Sequence, residues 1–183
     1  GDFVCLRRAN DISQNGGFVP AINVGKHEDA QFGTHHARDA YHLLKDQFPN
    51  IGLYSSAVKL NTQYMHAIRF SILVDDSGGI DDALAAFEAN PMASMTNKVT
   101  SNQVFSFGRD YGLYGRILNQ TVICKPTLQV SSHPNGSLIT GFAFTPQDGN
   151  SLLSSISAAL HRIHPNSVEQ KMSCLTPYIF QEV

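Results

Sequence analysis

Two short segments of this chain carry residue types that can do chemistry. The first is Arg7-Arg8-Ala9-Asn10. A guanidinium is planar and always charged, so it can grip a phosphate or carboxylate through two parallel hydrogen bonds. Successive residues of a strand point to opposite faces, so one of the two arginines is expected to be an ordinary solvated or paired residue. The second segment is Thr34-His35-His36-Ala37-Arg38-Asp39. Adjacent histidines on a helix do not face each other, which argues against a metal pair. At a helix start the positive end of the dipole favours neutral imidazole, a usable base. Main-chain N–H groups at the same end can hold an anion.

Both segments need elements to position them. Phe3 to Arg8 reads as a strand, and Asn10 to Pro20 as a loop punctuated by Gly16-Gly17. Thr34 is the expected N-cap of a helix from His35 to Phe48, with Ala40, Tyr41, Leu44 and Phe48 at helical spacing and Pro49 as the stop. Ile51 to Leu60 and Met65 to Val74 read as two strands around the turn Asn61-Thr62-Gln63. In the second of these, Ala67, Arg69, Ser71 and Leu73 share one face, and Ile68, Phe70 and Ile72 share the other.

Beyond the turn Asp75-Asp76-Ser77-Gly78-Gly79, Asp81 to Ala89 reads as a short helix with carboxylates at its positive end. Thr100 caps another expected helix to Tyr111, closed by Gly112. Thr121 to Val130 and Leu138 to Phe144 are expected to form a hairpin around His133-Pro134-Asn135-Gly136. Ser151 to Ile163 carries the last apolar stripe at helical spacing, and the tail with Tyr178, Ile179 and Phe180 is expected to pack. The expected fold class is α+β: a mostly antiparallel sheet with helices on one face, in a single domain over residues 1–183.

Bulk properties narrow the function classes. The chain has 183 residues, 42% of them hydrophobic and 15% charged, with a formal net charge of −2. That is globular composition, and it gives no basic footprint for nucleic acid. No apolar run reaches the ~18 residues of a membrane-spanning helix. No basic stretch precedes the first apolar residues, so no signal peptide is expected. Cys5, Cys124 and Cys174 are odd in number and widely spaced, which points to reduced thiols in a cytoplasmic protein.

Taken in order, the segments resemble a family. Arg7-Arg8-Ala9-x-Asp11, Pro20-Ala21-Ile22-Asn23, Thr34-His35-His36-x-x-Asp39, Ser55 to Leu60 and Thr62-x-x-Met65-His66 resemble the catalytic (C-terminal) domain of archaeal-type (type II) glyceraldehyde-3-phosphate dehydrogenases. The similarity runs in outline to the last helix, as short patches in a shared order. It implies that fold, with His35 or His36 as catalytic base and substrate contact, and Arg7 or Arg8 at the phosphate or cofactor site. The arginines and histidines would then meet across a cleft.

The chain also departs from the family. It has no Gly-x-Gly-x-x-Gly dinucleotide turn, since Gly16-Gly17 and Gly78-Gly79 have the wrong spacing. The Ser-Cys-Asn-Thr-Thr segment that carries the family's nucleophile is absent, and Ala37-Arg38 stand where the family has Gly-Pro. Aldehyde oxidation needs a thiolate, a base and a hydride acceptor together. The expectation is therefore a dehydrogenase-like domain without dehydrogenase activity of its own, binding a small phosphorylated or anionic ligand. The alternative is a non-catalytic ligand-binding or subunit-interaction module. NAD or NADP is expected only if a nucleotide-binding domain accompanies it. Apolar residues on both faces of the strands suggest a homodimer through the open sheet face, with the carboxy-terminal tail as the other candidate cover. No nucleic-acid or membrane partner is expected.

Overall fold

A computed structural model describes residues 1–9, 21–62, 64–75, 78–112, 120–145 and 152–183. The expected loop from Asn10 to Pro20 (with Asp11 and Gly16-Gly17), Gln63, Asp76, Ser77 and Ser151 lie outside the described residues, as do residues 113–119 and 146–150. The elements run β1 (Asp2–Arg7), β2 (Asn23–Val24), α1 (His35–Leu44), β3 (Tyr54–Lys59), β4 (His66–Val74), α2 (Ile80–Glu88) and β5 (Ala93–Thr96). They continue with α3 (Ser101–Asp110), β6 (Thr121–Cys124), β7 (Gln129–His133), β8 (Gly136–Thr145), α4 (Leu152–Ile163) and α5 (Val168–Met172).

The fold is mixed α and β around one open, mostly antiparallel sheet. Its strands lie in the order β2-β3-β1-β4-β8-β6-β5, and β7 shares with β6 the edge of β8 that β4 does not use. Two neighbouring pairs are parallel, β1 with β3 and β5 with β6. The strands on either side of Asn61-Thr62 do not pair with each other. Instead β1 lies between them, parallel to β3 and antiparallel to β4. The expected hairpin around Pro134-Asn135 is present, with His133 opposite Gly136. Its first arm is broken in two by a 3-10 turn at Lys125–Thr127. Pro126 has no N–H to give a ladder, which suits it to that break.

Register fixes the two faces. Phe3 lies opposite Ser55 and Phe70, and Cys5 opposite Ala57 and Ile68. These residues share a face with Ile139, Ala143, Ile123 and Met95. Phe70, Ile123, Met95, Ile139 and Ala143 form the main core with Ala83 of α2, and Leu84 and Phe87 pack beside them. On the opposite face Val122, Cys124 and Phe144 pack with Val104 of α3, Met65 and Val183. Helices therefore cover both faces, not one as the sequence suggests. The uninterrupted apolar run Val122-Ile123-Cys124, buried throughout, is the local reason: a strand apolar at every position needs cover on both sides. The tail contributes to that cover through Phe180, whose ring lies 5.4 Å from that of Phe107 and 5.3 Å from that of Tyr111. A third, smaller cluster of Leu153, Val168 and Met172 joins α4 to α5.

Local signals explain the helix ends. Thr100 accepts the N–H of Gln103 at 3.4 Å as the cap of α3. Gly112, at φ +74°, then takes the left-handed conformation that closes the helix without a Cβ clash. Among the described residues no helix is long and apolar enough to cross a membrane.

Candidate functional site

The site lies where β1 ends and α1 begins. Gly33 makes this junction possible: its φ is +73°, and a Cβ there would come within 2.3 Å of the Ser55 carbonyl oxygen. Asp29 braces the same turn by accepting the N–H groups of Gln31 at 3.0 Å and Phe32 at 3.1 Å. Thr34 occupies the N-cap position of α1, but its hydroxyl makes no capping bond. Instead Ser55, reaching across from β3, accepts the Ala37 N–H at 3.0 Å. The Thr34 hydroxyl lies 2.7 Å from Ser55 Oγ and 3.2 Å from His36 Nδ1. The hydroxyl pair thus ties the helix start, the sheet and one histidine together.

Two cavities meet here. A cleft of about 610 Å³ is lined by Arg7, Lys26, Arg38, His35, His36 and Thr34, and by the carboxylates Glu28 and Asp29. A pocket of about 490 Å³ between α1 and the sheet is lined by Arg7, His36, Ser55, His66, Cys5 and Thr145, over an apolar floor that includes Phe3, Ala40, Leu44, Leu53 and Ile68. Arg7 and His36 line both. Of the residues the sequence singles out, Arg7, His35 and His36 therefore come together although they are remote in sequence. Arg8 does not join them: it is buried, has a partner of its own, and lines neither cavity. The alternation of strand side chains divides the arginine pair in this way.

His66 and Cys5 line the pocket too, and the sequence alone does not mark them as site residues. The legible signal was alternation: Cys5 and Arg7 share a strand face, and His66 opens β4 beside the end of β1. His66 follows Met65, whose φ of 48° is rare for a residue with a side chain. Burial of the Met65 side chain against Val104 and Phe144 on the opposite face holds that conformation.

Electrostatics separate the three ionisable groups. His66 is pushed down to about 4, first by burial and then by the charges of Arg7, Arg8 and His36. The Arg8 N–H donates to its Nδ1 at 3.0 Å, so the proton of the neutral ring sits on Nε2. His66 is thus a fixed neutral donor in an otherwise largely apolar pocket. His36 is also shifted down, by burial, then by His35 and Arg7, with Asp39 opposing. Burial pushes the Cys5 thiol up more than Arg7 pulls it down, so it stays a thiol at neutral pH. Arg7, a base held neutral and a neutral N–H donor together suit an anionic molecule that also carries a neutral acceptor oxygen.

Among the described residues no cluster of three or more His, Cys, Asp or Glu side chains could hold a metal ion. No family model matches the sequence, and no curated protein matches it.

Proposed function

We propose that this domain is of the glyceraldehyde-3-phosphate dehydrogenase catalytic-domain type and binds a small phosphorylated or otherwise anionic molecule at Arg7 and His36. The observation that carries this reading is the convergence of Arg7 with His36 on both cavities, beside the start of α1. The order of the Arg-Arg, His-His and Met-His segments supports the same reading. In it, Arg7 grips the anion, His36 serves as base or hydrogen-bond partner, and His66 directs Nε2–H at a neutral oxygen of the ligand.

Oxidation of an aldehyde would need a thiolate, and Cys5, the only cysteine lining the pocket, is held protonated. Triose phosphate with NAD or NADP should therefore give no nicotinamide reduction from this chain alone. The binding experiment is a titration with inorganic phosphate followed by NMR. Resonances of Arg7, His35 and His36 should move, and Arg7→Ala should weaken binding about tenfold or more, the usual worth of a charged hydrogen bond. Phosphate that shifts none of them, or binds Arg7→Ala equally well, would refute the site.

A second reading, self-association, is favoured by the part of the sheet away from α1. Leu73 and Phe142 are 42% and 36% exposed there, on the face that also carries Arg69. A two-fold contact would have to bury at least ~1,000 Å². Sedimentation velocity at micromolar concentration tests it: a dimer that Leu73→Lys dissolves would establish this face, and a monomer would dismiss it.

A further inference from the structure

The pocket between α1 and the sheet does not end at its apolar floor. Phe3, Leu44 and Leu53 also line a groove of about 720 Å³, which continues past the end of α1 along Phe48, Pro49, Ile51 and Ile72. Three spaces therefore lie end to end: a cationic cleft, an amphipathic pocket and an apolar groove. Arg7 and His36 join the first to the second, and Phe3, Leu44 and Leu53 join the second to the third.

We propose that this row of cavities accepts an anionic amphiphile, with its phosphate or carboxylate at Arg7 and His36 and its aliphatic chain running under α1 towards Leu44 and Phe48. The proposal rests on the anion site argued above and names the ligand class for it. Charge sets the direction, because Arg7, Lys26 and Arg38 outnumber Glu28 and Asp29 at the cleft end, whereas the pocket floor and the groove walls, apart from Gly1, Gln47, Asn50 and Asp75, are mainly apolar.

The two walls agree on length. From Phe3 to Arg7 an extended strand advances about 13 Å. From His36 to Leu44 the helix advances about 12 Å. A chain of medium length spans that distance. His66 and Thr145, paired beside the Arg7 end of β1, lie at the head end and can hydrogen-bond an ester or carbonyl oxygen next to the head group. Towards Leu44 the lining is Phe3, Ala40, Leu53 and Ile68, which suit methylenes. Ala40 presents only a methyl group to the pocket.

The test is a calorimetric series at fixed ionic strength with inorganic phosphate and with butyl, hexyl and octyl phosphate, all below micelle-forming concentrations. Affinity should climb with chain length by up to about fourfold per buried methylene. Alkyl phosphates that bind no tighter than phosphate would overturn the amphiphile proposal and leave the anion site standing. If neither phosphate nor any alkyl phosphate binds, both fail. Ala40→Phe, which fills the pocket, should flatten the series, and a series unchanged in that variant would overturn the proposed path. Should Ala40→Phe not fold, nuclear Overhauser contacts in the wild-type protein decide. Contacts from the octyl chain to Leu44 and Leu53 support the proposal, and contacts confined to other surfaces refute it.

Discussion

The main-chain N–H of Arg8 donates to Nδ1 of His66 across 3.0 Å, joining the end of β1 to the start of β4. This bond is lost if Nδ1 takes a proton, and burial with Arg7 and Arg8 nearby already opposes protonation. The folded value of about 4 lies below the ~6.5 of an unfolded histidine. The unfolded chain therefore binds the proton more readily, and acid favours unfolding. His66 contributes full stability above about pH 6.5, and that contribution is lost as pH falls towards 4. Urea unfolding at a series of pH values should show stability declining across this window, and His66→Gln should flatten the decline. An NMR titration that puts the His66 midpoint near 6.5 would contradict this.

Arg7 acts electrostatically on each group it faces. Its charge lowers both His36 and His66 and lowers Cys5 against the effect of burial. Arg7→Ala should consequently raise the midpoints of both histidines and push the Cys5 thiol still higher. Carbon-detected titration of the imidazoles measures the first effect. Thiol alkylation across a pH range measures the second, as a further slowing at mildly alkaline pH. Histidine midpoints that stay put would separate Arg7 from the site.

Capping of α1 is divided between two hydroxyls, and the structure ranks them. Ser55 is 4% exposed and holds the Ala37 N–H, whereas Thr34 makes no capping bond. Ser55→Ala should cost about 1–2 kcal/mol, in the range of a lost cap. Thr34→Ala should cost less, because it gives up only hydroxyl contacts to His36 and Ser55. The reverse order in chemical denaturation would show that Thr34 is the operative cap.

Some of this arrangement is written in local sequence and some is not. Thr34 ahead of His35 marks where α1 starts, and Asn135-Gly136 marks the β7–β8 turn, because caps and tight turns are decided by a few adjacent residues. That Ser55 does the capping depends on which strand lies under α1, and no local pattern carries that. The same limit explains β3 and β4. A short polar connection suggests a hairpin, but the pairing with β1 on both sides prevails through register over the length of β1. β5 is hard to read because Ala93-Ser94-Met95-Thr96 has little β-branched or aromatic character, and burial alone makes it a strand. In the site, Arg7 and His36 are legible by residue type. Cys5 and His66 are not, because a cysteine in an apolar strand and a histidine at a strand end look ordinary until β1 and β4 are placed side by side.

Gln120 should be among the least replaceable polar residues. It is 1% exposed; its Nε2 donates to the carbonyls of Pro91 at 3.0 Å, Ala93 at 3.3 Å and Phe180 at 2.9 Å. Its Oε1 accepts the Phe180 N–H at 2.7 Å. Gln120→Leu would take the partner from several part-buried main-chain groups, at up to about 1–3 kcal/mol each before water and relaxation compensate. A loss of at least ~2 kcal/mol in urea unfolding is expected, and a loss below ~0.5 kcal/mol would show that the carbonyls find other donors.

Gln120 and Ser94 both hold the Phe180 backbone, and past that point the chain runs alongside β5. Met95 donates to the Gln181 carbonyl at 2.8 Å and accepts the Val183 N–H at 2.9 Å, in parallel register with Glu182. The two ends of the strand path, β2 and β5, are edges at which foreign strands can dock, besides the outer side of β7. At one of them β2 is only two residues long and offers little template. At the other, residues 181–183 occupy the hydrogen-bonding row that β5 would otherwise present. Removing them would do more than loosen the core: it would expose an unsatisfied, largely uncharged strand able to recruit copies of itself. Such a truncated protein should scatter light and bind fibril-sensitive dyes at temperatures where it remains folded.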